Sequence, residues 1–142
     1  MGDTTATPQR LRITYRHGEA LRYVGHLDVV RAWERALRRS GVPLAYSEGF
    51  NPQARLQFAS ALPLGATSQA EIVDIVLSEP MAPAAFLAQV QPHLPPGLTL
   101  LAAEEAPLKA KALQGLLRAS EWQVDVATDL PAEELAGRVA QL

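Results

Sequence analysis

The residues best suited to chemistry in this sequence are four arginines inside one predicted helix. They fall within about 100° of arc when each residue turns the helix by roughly 100°. The four are Arg31, Arg35, Arg38 and Arg39. A guanidinium group presents its donors in a planar fork that matches phosphate and carboxylate oxygens. Two pairs of these arginines are four residues apart, where like charges cost helix stability. The pattern therefore predicts a face that binds an anion.

The alternative is an ordinary solvated surface whose charges pair along the helix. Glu34 is spaced to reach Arg31 or Arg38, and Asp28 is spaced to reach Arg31. Charge asymmetry favours the anion-binding interpretation. Residues 1–55 contain nine arginines and five acidic residues, whereas residues 56–142 contain four basic and ten acidic residues.

A second candidate is the segment SEGFNP at residues 47–52, whose Ser, Gly, Asn and Pro are typical of a turn. An aromatic ring and an amide on such a loop could stack on, and hydrogen-bond to, an exposed base. The alternative is a hairpin corner with Phe50 in the core. The nucleic-acid contacts that we expect from this region come from Tyr46, Ser47, Phe50, Asn51 and Arg55.

A catalytic interpretation has weaker support. His26, Asp28, Glu71 and Asp74 are candidate acid or base groups, and a polar pocket would also need Ser47 and Asn51. Asp28 near the start of a helix has a simpler role, in which its carboxylate complements the helix N-terminus. Nucleophile elbows, phosphate-binding loops, dinucleotide fingerprints and zinc-helix motifs are missing from the sequence. The sequence therefore favours an accessory role over an enzyme acting on its own.

Composition bounds the remaining possibilities. The 142 residues, of which 48% are hydrophobic, are typical of about one globular domain. Cysteine is absent and the three histidines are scattered, so we expect no metal site and no cofactor in this chain. Because no apolar run suits a membrane helix or a signal peptide, we expect a soluble cytoplasmic protein without a membrane partner.

The elements that must position these residues are predicted from periodicity and turn signals. Alternation predicts a strand over 11–16, and helical spacing predicts a helix over 26–40 between Gly25 and Gly41. An edge strand at 42–46, strands at 56–58, 72–77 and 98–102, and a helix from Pro83 complete an α+β fold. This order is that of a ferredoxin-like βαββαβ unit with an antiparallel sheet.

The predicted domain organisation has four parts. A flexible leader covers residues 1–10, a ferredoxin-like domain 11–104 and a connector 105–120. A strand at 121–127 and a helix at 131–142 are expected to begin a second, truncated α+β unit.

The run from GHLD at residues 25–28 to EIVD at residues 71–74 closely resembles the radical SAM-linked protein family, a domain of unknown function. The family pattern has SHLD or GHLD, a basic helix, and then YSxGFNPHPxxxFAxxLPLGxxSxxExxD. The matching positions are His26, Leu27, Asp28, Arg31, Arg38, Arg39, Pro43, Tyr46, Ser47, Gly49, Phe50, Asn51, Pro52, Phe58, Ala59, Leu62, Pro63, Leu64, Gly65, Ser68, Glu71 and Asp74. Gln53 and Ala54 depart from the pattern, which has His-Pro there.

The resemblance implies a domain encoded beside, or fused to, a cobalamin-binding radical SAM protein. Three hypotheses follow from the residues and the resemblance together. The first is an accessory domain that binds tRNA or rRNA through the arginines and the SEGFNP loop for the radical SAM enzyme. The second is a catalytic subunit with the polar pocket, and the third is a protein-docking domain for the radical SAM partner.

Overall fold

The computed structural model describes residues 7–142, so residues 1–6 of the predicted leader lie outside the described part of the chain. The main elements, in chain order, are β1 (Gln9–His17), α1 (His26–Ser40), β2 (Leu56–Phe58), β3 (Ser68–Leu77), α2 (Pro83–Val90), β4 (Leu98–Ala106), α3 (Leu113–Leu116) and α4 (Ala132–Val139). The four strands form one antiparallel sheet in the order β2-β3-β1-β4. The α+β fold class is confirmed.

Strand β1 lies in the middle of the sheet and shows the predicted alternation. Leu11, Ile13 and Tyr15 are buried on the face that packs against the helices. The strand begins at Gln9, inside the predicted leader, because the Gln9 side chain is buried and accepts a hydrogen bond from the Met81 N–H at 3.0 Å. The leader therefore contributes to the sheet at its end.

Helix α1 covers this face and has the predicted bounds. Gly25 precedes it in an extended conformation, and Gly41 ends it with φ +77°, a left-handed conformation that glycine adopts without a steric penalty. Trp33 is fully buried and its ring meets Tyr15 edge-on, with 5.0 Å between the ring centroids. Because the apolar side of the helix packs in the core, its opposite side faces solvent.

The edge of the sheet beside β3 is built from two separated pieces of chain. Leu44 bridges to Leu77, and β2 pairs with β3 farther along. The predicted edge strand at 42–46 is present only as this bridge, a second bridge from Tyr46 to Ala54 and nearby hydrogen bonds, because the chain leaves the sheet after Ala45.

Strand β3 is the predicted doubly buried strand. Its residues from Val73 to Leu77 are buried on both faces of the sheet. Helix α2, which begins at Pro83 as expected, packs beside α1 and beneath β4. Strand β4 extends to Ala106, two residues beyond the predicted end of the domain.

The segment after β4 differs most from the predictions. The predicted connector contains the short helix α3, and it packs on the sheet because Leu113 is buried and its N–H donates to Gln57 Oε1 at 2.8 Å. Residues 121–127 form no strand, because they pair with none of the four strands and an isolated extended segment is not stable as a strand. Helix α4 is confirmed near the predicted bounds and contains no buried residue.

No helix in the described residues 7–142 is long and apolar enough to cross a membrane.

Candidate functional site

The four predicted arginines are all exposed on the solvent side of α1. This orientation follows from the opposite side of the helix, where Val29, Trp33 and Leu37 are buried in the core. Arg31 Nη1 lies 3.5 Å from Asp28 Oδ1, an exposed ion pair that was anticipated from the spacing. Within residues 7–142, the guanidinium groups of the other three make no ion pair. We call Arg31, Arg35, Arg38 and Arg39 the arginine face.

Glu34 does not neutralise the arginine face. Its carboxylate forms no ion pair with Arg31 or Arg38 in the described part of the chain, although the spacing allows both. It is only half-buried and lines a groove beside the helix instead. Of the ion pairs along α1 that the alternative interpretation expected, only the one between Asp28 and Arg31 is therefore present in the described residues.

The SEGFNP loop projects from the edge of the sheet on a hydrogen-bonded stem. Val76 of β3 accepts from the Ala45 N–H and donates to the Arg55 carbonyl, at 3.0 and 3.1 Å. The Arg55 N–H donates to the Ala45 carbonyl at 3.1 Å and closes the stem. The chain between these points leaves the sheet and returns to the same position along β3.

The tip of this loop is held by its first residue. Ser47 Oγ accepts the Gln53 N–H at 3.0 Å, and the Ser47 N–H donates to the Gln53 carbonyl at 2.8 Å. Gly49 has φ +122°, a conformation that side chains rarely adopt. Phe50 is completely exposed, at 110% of its reference area, so the alternative with Phe50 in the core is wrong. An unsupported aromatic ring at the tip of a fixed loop is available to stack on a partner.

Tyr46, Asn51 and Arg55 complete this predicted group, and all three side chains are exposed. Tyr46 is 45% exposed and forms an isolated bridge with Ala54 at the base of the loop. The loop and its stem thus present two aromatic rings, two amides, one carboxylate and one guanidinium group to solvent.

A groove of about 480 Å³ lies between α1 and the edge strand β2. One wall is a stripe of α1 residues spaced four apart, His26, Val30 and Glu34. The His26 ring stands edge-on to Phe58 of β2, with 5.1 Å between centroids. The rest of the lining comes from Ala54, Leu56, Gln57, Ser60, Ala61 and Gln114. Because Ala54 belongs to the stem of the SEGFNP loop, the groove begins where the loop leaves the sheet.

Sequence reasoning missed this groove. Only His26 among its lining residues was a candidate, and Glu34 was considered only as a partner for arginine. The i, i+4, i+8 spacing of His26, Val30 and Glu34 was a visible signal, since it places the three on one side of α1. Gln57, Ser60 and Gln114 come from other elements, and only the fold brings them together.

The six side chains of the hypothetical catalytic pocket do not form one group. Glu71 accepts a hydrogen bond from the Ser68 hydroxyl at 2.8 Å within its own strand. Asp28 is paired with Arg31, whereas Ser47 and Asn51 belong to the exposed loop. Asp74 lies on the sheet face opposite α1, because its neighbours in β3 point into the core.

Asp74 has a structural environment of its own. It is 1% exposed, and its two carboxylate oxygens accept from Arg12 Nε at 2.9 Å and Arg12 Nη2 at 3.0 Å. The hydrogen bond to Asp74 raises the pKa of Arg12 above its usual value, against the opposing effect of burial. Arg10 Nη1 lies 3.8 Å from the same carboxylate. This pairing explains why an acidic residue is tolerated in a buried strand.

No group of three or more histidine, aspartate or glutamate side chains within residues 7–142 is arranged to hold a metal ion.

Comparison with known proteins gives one match. The model of the family described as uncharacterized protein conserved in bacteria (DUF2344) matches residues 10–142. Searches of curated proteins and of solved structures found no match to the chain.

Proposed function

Since the chain belongs to the family of uncharacterized proteins conserved in bacteria (DUF2344), its function has to be argued from its own surface, and we propose that it binds RNA. The arginine face of α1 binds phosphates, and the SEGFNP loop contacts an exposed base. The protein acts as an accessory domain that presents tRNA or rRNA to a radical SAM enzyme.

The observation that carries this proposal is the set of three exposed arginines without an ion-pair partner within residues 7–142, namely Arg35, Arg38 and Arg39. Arg35 also repels Arg31 and Arg39, one turn away on either side. Arg38 and Arg39 lie in the last turn of α1, where positive charge stabilises the helix, so the repulsion is a cost mainly at Arg35, and an anionic partner accounts for it. The fork of a guanidinium group favours phosphate contacts over simple solvation.

The SEGFNP loop favours RNA over a partner that is recognised by its negative charge alone. Phosphate binding needs no aromatic groups, yet Phe50 is fully exposed at the loop tip and Tyr46 is exposed at its base. Stacking on aromatic side chains is the usual way in which proteins hold unpaired bases. A single-stranded region of a folded RNA offers phosphates and unstacked bases together.

We also infer that residues 9–106 form a ferredoxin-like unit. The element order βαββαβ and the strand order β2-β3-β1-β4, with every pair antiparallel, support this inference. Several RNA-binding modules use such sheets, but a likeness of fold is only an analogy for function. Here the sheet face opposite the helices contains the Arg12–Asp74 pair, so we place the RNA on α1 and the loop instead.

The radical SAM partner in this proposal comes from the resemblance of residues 11–77 to the radical SAM-linked pattern. We expect a cobalamin-binding radical SAM protein from the same bacterium to co-purify with this chain. Retention of the complex after RNase treatment would indicate direct contact between the proteins.

The experiment compares wild type with the double variant Arg35→Glu/Arg38→Glu for binding to tRNA and to rRNA fragments. The matched control is Lys109→Glu/Arg118→Glu, which changes the net charge equally at two exposed residues outside the arginine face. We expect the first variant to lose binding and the control to retain it. Equal loss in both variants would reduce the effect to net charge, and intact binding in the first would refute the proposal. If wild type binds no RNA, the remaining candidate partner of the arginine face is an acidic surface on another protein.

A further inference from the structure

The groove between α1 and β2 lies where the two parts of the proposed RNA surface meet. Ala54 connects it to the stem of the SEGFNP loop through the bridge to Tyr46. Arg38 follows Glu34 by one turn and therefore emerges on the same side of α1. The spacing therefore places Arg38 one turn beyond the Glu34 end of the groove.

The groove has the size and lining of a small-ligand site. Its volume of about 480 Å³ lies in the range of typical ligand pockets, roughly 300–1,000 Å³. Val30, Leu56 and Phe58 provide apolar contact, while His26 offers a half-buried ring. A flat aromatic ligand with polar edges suits this combination.

Glu34 determines which hydrogen-bonding groups the edge of such a ligand must present. Glu34 lines the groove and its carboxylate has no ion-pair partner in the described residues, so it is available as a hydrogen-bond acceptor. The Gln57 Oε1 already accepts the Leu113 N–H, which leaves the Gln57 amide group to donate. The groove therefore combines one acidic acceptor with an amide donor.

We propose that this groove binds one unpaired RNA base that has an exocyclic amino group, adenine, cytosine or guanine, through Glu34. The carboxylate accepts from the amino group, and the base stacks on His26. Uracil is disfavoured because its only donor on the pairing edge lies between two carbonyl oxygens, which repel a carboxylate. This inference rests on the proposed function, since the phosphates must be held by the arginine face.

The test measures binding of fluorescently labelled twelve-nucleotide oligo(A), oligo(C) and oligo(U) to the full chain at one low salt concentration. We expect wild type to prefer oligo(A) and oligo(C) to oligo(U) by at least about fivefold, the lower limit for a good base contact. The variant Glu34→Met removes the acceptor while keeping a helix-favouring side chain.

The decisive quantity is the ratio of affinities. Removing a negative charge beside the arginine face strengthens binding to all three oligonucleotides, so the proposal predicts that Glu34→Met also brings the ratio close to one. The matched control Glu79→Met removes an exposed acid outside both the groove lining and the SEGFNP loop, and should keep the wild-type ratio. A second variant, His26→Ala, should weaken all three by a similar factor, because stacking tolerates any base.

Each outcome supports or overturns a stated part of the proposal. If wild type binds all three equally, the groove does not select a base, although RNA binding itself stands. A preference that survives in Glu34→Met overturns the role of Glu34. If wild type binds none of them and no tRNA or rRNA fragment, the proposed function fails and this inference fails with it. Thermal melting of each variant confirms that it is folded.

Discussion

At the scale of single residues, the chain separates charges that stabilise the fold from charges that are free to bind. The buried Asp74 carboxylate accepts two hydrogen bonds from the half-buried Arg12 on one face of the sheet, whereas Asp28 and Arg31 form a solvent-exposed pair on α1. Both acids were candidates for the same catalytic pocket. Their surroundings assign them different roles, since a buried charge depends on its partner and an exposed one is solvated by water.

Replacing Asp74 by Asn should strongly destabilise the protein. The change removes the charged partner of the half-buried Arg12 and leaves a buried amide against its guanidinium group, and losing a charged hydrogen-bond partner at such a site costs about 1–3 kcal/mol. Urea unfolding measures this loss. The same change at Asp28 serves as the control and should cost less than about 1 kcal/mol. Similar small effects at both positions would contradict the structural role of Asp74.

Tyr15 gives the fold a dependence on alkaline pH. Burial raises the pKa of Tyr15 above its ordinary value of about 10, with the charge of Glu71 adding to the effect. As pH rises above about 10, the unfolded chain loses this proton while the folded chain keeps it. The free energy of unfolding should therefore fall by up to about 1.4 kcal/mol per pH unit from this group.

The variant Tyr15→Phe removes this ionisation and keeps the ring. Urea unfolding at pH 9, 10 and 11 should show a shallower loss of stability in the variant than in wild type. Identical slopes in both proteins would mean that Tyr15 ionises in the folded state.

At the scale of elements, periodicity predicted the features that depend on residues within one element. It missed the features that depend on contacts between segments distant in sequence. The bounds of α1, its buried side and its arginine face follow from the residues of the helix itself. The groove does not, because β2 and α3 are separated from α1 in sequence and meet it only in the fold. The prediction of a strand at 121–127 was wrong for a related reason. Alternating side chains favour an extended chain, but a strand also needs a partner.

Arg35 should be a cost to α1 in the absence of a ligand. Arg35→Glu converts two repulsive contacts, with Arg31 and Arg39, into attractive ones, and we expect the free energy of unfolding to rise by about 0.5–1 kcal/mol. Urea unfolding at low salt measures the change, and Arg35→Gln should give an intermediate value. A variant less stable than wild type would show that Arg35 supports the helix, which would remove the main argument for a binding role.

At the scale of the whole molecule, the chain consists of a packed sheet-and-helix body followed by a poorly buried segment. Residues 9–106 supply the sheet, both long core helices and nearly all buried side chains. After Leu113, no residue is buried, and Trp122 and Val124 are largely exposed. The expected second α+β unit from residue 121 stays a prediction, since α4 is present but its strand is not.

Limited digestion with trypsin should follow this division. The first cleavage is expected after Arg118, which is exposed in a stretch without helix or strand, while Arg10 and Arg12 in β1 resist. Mass spectrometry of the early products identifies the sites. Resistance of Arg118 on the timescale at which the body is cut would show that the last residues are packed.

The measurement closest to the central claim is the affinity of the full chain for tRNA and rRNA fragments as a function of salt. If Arg35, Arg38 and Arg39 each neutralise one phosphate of an unpaired strand, the affinity should fall roughly twentyfold between about 50 and 200 mM salt. We expect this slope in wild type and no measurable binding by Arg35→Glu/Arg38→Glu at either salt concentration. Wild-type binding that ignores salt, or no wild-type binding at low salt, would contradict the proposal.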